Sequence, residues 1–128
     1  MGLDFPQCGA HWSYSGFNRF RRRIAEMLGL DWDTMVGKGM DRPCKDSAEY
    51  KNMWARASEH PVYPLLNHSD CDGELGPAEC RLVARGLQLL APNWRQDDPA
   101  EDHDRKQAKL LAAGCLAAAE ANEPLEFR

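Results

Sequence analysis

The sequence predicts a mainly α fold, with about four helices, long loops and at most a small two-stranded sheet. Three observations lead there. Apolar residues recur at spacings of three and four in four separate stretches. Each stretch opens or closes on residues suited to helix ends, such as Ser15, Gly29, Ser47, Pro77, Pro92 and Pro99. The balance of 43% hydrophobic and 28% charged residues is that of a globular protein with its own core. A length of 128 residues suits a single domain over 1–128.

The first helix is expected from Ser15 to Leu28. Phe17, Phe20, Ile24 and Met27 form its apolar stripe, and Gly29 takes the left-handed residue that ends it. Residues 31–46 read as a loop holding a short helical turn around Trp32 to Val36. A second helix fits Ser47 to Ser58, and Pro61 and Pro64 stop it from continuing. Val62 to Leu66 is short and apolar and reads as one extended strand. A third helix starts at Pro77, whose missing N–H costs nothing in a first turn. A fourth runs from near Pro99 to near Asn122, its acidic start matched to the positive end of the helix dipole. Leu125 to Phe127 then offers a strand to pair with Val62 to Leu66. The shared core expected from these patterns is Phe20, Ile24, Trp54, Leu82, Leu87, Leu90, Leu111 and Cys115.

Charge and thiols narrow the function classes. Sixteen Lys and Arg against twenty Asp and Glu leave −4, which opposes general affinity for nucleic acid or anionic lipid. The charge is uneven, with FNRFRRR at Phe17 to Arg23 and DDPAEDHD at Asp97 to Asp104. The molecule is therefore expected to have a basic end and an acidic end. No stretch approaches the ~20 apolar residues of a membrane span. The first ten residues lack the basic and apolar regions of a secretory leader. Five cysteines are an odd number, and they read as reduced thiols of a cytoplasmic protein.

The loop His68 to Glu79, HSDCDGELGPAE, carries the most chemistry. Asp70 and Asp72 offer hard oxygen ligands, and Gly73 permits a sharp turn. The backbone carbonyl of Glu74 would face an ion, and Glu79 would close its shell from the start of the third helix. These residues resemble one half of an EF-hand, over twelve loop residues and the exiting helix. The resemblance implies a divalent cation, calcium first. His68 stands where calcium prefers a carboxylate, and the prolines remove the entering helix. Binding at the weak end, with Kd on the order of 10⁻⁴–10⁻³ M, follows. The same residues also suit a turn in which Asp side chains bond their own backbone amides. A transition metal held through His68 and Cys71 is a third reading. The segment Leu65 to Leu75, with the ending Asn122 to Phe127 and weaker similarity at Phe17 to Ala25, resembles a group of uncharacterised small bacterial and phage proteins. That resemblance implies an intracellular, phage-borne protein and no particular activity.

Arg19, Arg21, Arg22 and Arg23 form a second candidate site. Arginines clamp phosphates bidentately, and they equally suit an acidic protein partner. Trp94, just beyond a helix stop, is expected to be partly exposed and to join them in an interface. Cys8 and His11 make a C-x-x-H pair that needs two further ligands before it could hold zinc. No nucleophile elbow, phosphate-binding loop or HExxH motif is present, so no catalytic residue is assigned. The leading expectation is a small, non-catalytic protein that binds a protein partner, with nucleic acid and membrane disfavoured. The alternatives are a divalent-metal enzyme centred on Asp70, Asp72 and Glu79, and a nucleic-acid binder using the Arg19–Arg23 helix.

Overall fold

The computed structural model describes residues 2–5, 7–36, 48–67, 73–95 and 97–127. It is mainly α, as the periodicities require. The elements are β1 (Gly2–Phe5), β2 (Ala10–Ser13), α1 (Tyr14–Met27), α2 (Trp32–Val36), α3 (Ala48–Ala57), α4 (Tyr63–Leu66), β3 (Gly73–Leu75), α5 (Pro77–Leu90), α6 (Pro99–Glu120) and β4 (Leu125–Phe127). A single 3₁₀ turn over Ala91–Asn93 follows α5.

Helix ends follow local chemistry. Ser13 rather than Ser15 caps α1, its hydroxyl accepting from the Gly16 amide at 3.0 Å. Gly29 follows α1 with a φ of +74°, as expected of the residue that ends it. The Asp98 carboxylate caps α6, accepting from the amides of Ala100 and Glu101. Ser47, expected to cap α3, lies outside the described residues.

The β structure differs from expectation in two ways. Val62 to Leu66 is not a strand: Tyr63–Leu66 is the short helix α4, with Pro64 in its first turn where a missing N–H is tolerated. The partner of β4 is instead β3, antiparallel, with Gly73 opposite Phe127 and Leu75 opposite Leu125. A second ribbon, β1 with β2, also forms at the N-terminus, with Leu3 opposite Trp12 and Phe5 opposite Ala10. Its turn contains Gly9 at φ +78°.

One contiguous core joins these elements, and α5 packing on α6 is its largest helix pair. Phe20, Ile24, Leu87, Leu90, Leu111 and Cys115 are buried as expected. Two expected core residues are not. Leu82 is 47% exposed, and Trp54 is only half-buried. Leu82 falls on the outer arc of α5 because Cys80, Val83, Ala84 and Leu87 define the inner one. Trp94 is corrected in the opposite sense. It is 4% exposed and stacks on Phe20, centroids 5.4 Å apart and planes 8° apart. The chain beyond the 3₁₀ turn folds back onto α1 instead of leaving the surface. No helix among the described residues is long and apolar enough to cross a membrane.

Candidate functional site

The described part of the loop is built as its sequence suggests. Gly73 has a φ of +101°, a conformation a Cβ disfavours. Leu75, buried, is held in the ribbon with β4, and α5 starts two residues later. Glu79 sits in the first turn of α5, where its Oε1 accepts from the Gly76 amide at 3.1 Å. That bond makes Glu79 a helix cap, and two-oxygen ligation of an ion would compete with it. Glu74 lies in β3 opposite Glu126 of β4. His68, Asp70, Cys71 and Asp72 lie outside the described residues. Among the described residues, no three His, Cys, Asp or Glu side chains are arranged to hold a metal ion. Cys8 and His11 are drawn to different partners. Cys8 packs toward α6, and the His11 ring pairs across the ribbon with Asp4.

Three of the four arginines on α1 are engaged within the protein. Arg21 is 6% exposed, and its guanidinium lies 4.8 Å from the Phe17 ring centre and 5.3 Å from that of Trp32. It also donates to the Leu66 carbonyl at 3.4 Å. Arg22 pairs with Asp33 at 2.7 Å, and this hydrogen bond raises its pKa. Arg23 donates to Glu101 of α6 at 2.7 Å and lies 3.7 Å from Glu26. Arg19 remains exposed on the rim of the same seam. The basic and acidic stretches therefore do not form two ends of the molecule. They meet across a cleft of about 170 Å³ lined by Arg19, Arg22, Arg23, Glu26, Glu101 and Asp104. Opposite charges gain more from facing each other than from separate exposure, and the α6 dipole adds to that attraction.

Asp104 forms the floor of this cleft and is 2% exposed. Trp12 Nε1 donates to its Oδ1 at 2.9 Å. Burial pushes its carboxyl above the usual range, and the Trp12 bond and the nearby Arg19 charge oppose that shift. Residue type did not distinguish Asp104 from its acidic neighbours. The signal was positional: it falls on the Ala108, Leu111, Cys115 face of α6.

The open surface lies elsewhere. Tyr50, Trp54 and Tyr63 form an edge-to-face chain, with ring centres 6.4 and 6.1 Å apart. Trp54 is anchored by its Nε1 donating to the Met35 carbonyl at 2.9 Å. The three rings, with Lys51, Ala55 and Asn67, line an open hollow of about 420 Å³. On the other side of Tyr63 and Ser58 a second hollow of about 200 Å³ runs past His60, Pro61 and Pro64 to Leu82. The His60 Nδ1 accepts from the Val62 amide, and burial lowers its pKa, so the ring is held neutral. Helical spacing joins Tyr50 to Trp54 on α3, but Tyr63 comes from α4 beyond Pro61, so no sequence pattern joined all three.

No family model matches the chain, and no curated protein or solved structure matches it either.

Proposed function

We propose that this chain is a small, non-catalytic intracellular protein that binds a protein partner through the surface formed by Tyr50, Trp54, Tyr63 and Leu82. The observation that carries the reading is that three partly exposed aromatic rings share one open hollow, and a second hollow, sharing Tyr63 with the first, ends at an exposed leucine. Aromatic side chains are enriched at interface centres because they bury large areas at little entropic cost. The arginines of α1 are less suited to that role. Arg21 is buried, and Arg22 and Arg23 are engaged with the protein's own carboxylates. The same pairing argues against phosphate recognition by this helix. A phage-borne origin, with a host protein as the partner, fits the resemblance of Leu65 to Leu75 and Asn122 to Phe127.

A second reading keeps the loop as a weak calcium site. It is supported by Gly73 in the left-handed region and by Glu79 at the start of α5. A calcium titration that raises the melting temperature by several degrees at millimolar ion, and fails in Glu79→Gln, would support it.

The main reading is tested by capture from lysate of the producing cells. The native chain should retain one protein in stoichiometric amount. Tyr50→Ala with Leu82→Ser should lose it, and Arg19→Gln with Glu120→Gln should keep it. Equal capture by all three forms would overturn the proposal.

A further inference from the structure

Across the charge seam, α1 and the first half of α6 run in opposite chain directions. The His11 amide donates to Gln107, Trp12 to Asp104 and Arg23 to Glu101, at 2.9, 2.9 and 2.7 Å, so contacts that advance on one side retreat on the other. Arg19, Arg22, Arg23 and Glu26 lie at helical spacing on the side of α1 that lines the cleft. Arg19 stands one turn before Arg23, and Asp104 about one turn after Glu101. Arg23 and Glu101 close one rung between the helices. The next rung, Arg19 and Asp104, stays open. Among the described residues Arg19 makes no ion pair, and the second Asp104 oxygen, Oδ2, has no hydrogen-bond partner. Asp104 is only 2% exposed, yet Oδ2 is not sealed off, and it is reached from the cleft of about 170 Å³ that both residues line.

We propose that this cleft binds a small zwitterion, a free α-amino acid, with its carboxylate on the Arg19 guanidinium and its ammonium on Asp104 Oδ2. Charge complementarity selects the class. Three arginines and four carboxylates line the cleft, and Arg22 and Arg23 already hold carboxylates of the chain. A lone anion would meet those acidic groups with one unspent cation to receive it. A lone cation would gain Asp104 and leave Arg19 facing it. A zwitterion satisfies both. A buried carboxylate with one oxygen unpaired is costly in its ionised form, and a hydrogen-bonded ammonium removes that cost. The planar guanidinium of Arg19 offers two N–H groups to a carboxylate. Size agrees, since the cleft is smaller than the about 300–1,000 Å³ that drug-sized ligands occupy. It shares no lining residue with the aromatic hollow, so the site is separate from the proposed partner surface.

The test screens the full chain by thermal unfolding against the common free amino acids, each at millimolar concentration. The one that raises Tm most is then titrated by calorimetry. At about ten times its Kd it should raise Tm by roughly 3–6 °C. Its decarboxylated amine and its deaminated carboxylate should each bind about tenfold more weakly or worse. Arg19→Gln should weaken binding of the amino acid about tenfold. Arg19 is exposed, so this variant reads binding without a folding defect. Asp104→Asn, which keeps an acceptor for Trp12, should weaken it about thirtyfold or more. Glu120→Gln, away from the cleft, should bind as the native chain does. A screen in which no amino acid raises Tm would overturn the site. So would equal affinity for the amine or the carboxylate alone, or unchanged affinity in Arg19→Gln or Asp104→Asn.

Discussion

Two aromatic clusters in this protein have opposite relations to solvent. In the first, Phe5, Trp12, Phe17, Phe20, Trp94 and Phe127 stack from ribbon to helix to C-terminal strand, and none is more than 4% exposed. In the second, Trp32 is buried, while Trp54, Tyr50 and Tyr63 stand progressively around an open hollow. The first is closed by four elements, β1, β2, α1 and β4, by the Trp94 segment and by the α1–α6 charge seam. The second rests on α2, α3 and α4, helices of five, ten and four residues. Similar residue types thus serve stability in one place and leave surface for contact in the other. What separates them is how many elements close over the rings.

Substitutions should reproduce this contrast. Phe20→Ala, in the sealed cluster, should have the largest effect, costing about 3–5 kcal/mol and lowering Tm by roughly 10 °C or more. A loss under about 1 kcal/mol in denaturant titration would show the cluster to be far less tightly closed.

Asp104 sharpens the sealed side through pH. Its folded pKa is raised by burial, so the folded state binds its proton more tightly than the unfolded chain. The contribution is therefore fully present below the unfolded carboxyl value and is lost as pH rises through the folded one. Asp104→Asn keeps an acceptor for Trp12 and removes this loss. The variant should gain stability relative to the native chain as pH rises from about 4 to 7. Parallel stability curves for the two proteins would contradict it.

Arg23→Gln should cost about 0.5–1 kcal/mol, because its bond to Glu101 is only partly shielded from water. The cost should shrink with added salt. In the open cluster, Leu82→Ser should change stability by less than about 0.5 kcal/mol, since its side chain is largely solvated already. A larger loss would mean that this surface contributes to the core.

The sequence made the helices legible because their signals are local. Trp32–Val36 matches its expected extent, α5 starts at the expected Pro77, and α6 ends two residues before the Asn122 expected to close it. The N-terminal ribbon went unread although Ala10 and Trp12 alternate with His11 and Ser13 in burial, because four residues give too short a period-two pattern. Leu125 to Phe127 was recognisable as a strand, but its partner lay inside a loop that had been read for ion binding. The candidate site was harder to see. Arg23 meets Glu101 from 78 residues away, and Trp12 meets Asp104 from 92. Pairings at that separation leave no periodic trace, so two charged stretches looked like two exposed ends.

The proposed partner site is the open aromatic hollow and not the arginine helix. Placing a photoreactive amino acid at Lys51, on the edge of the hollow, at Arg19 on the charge seam, and at Glu120 near the end of α6 tests it directly in the producing cells. One crosslinked protein is expected from position 51 and none from positions 19 and 120. A crosslink confined to position 19 would contradict it.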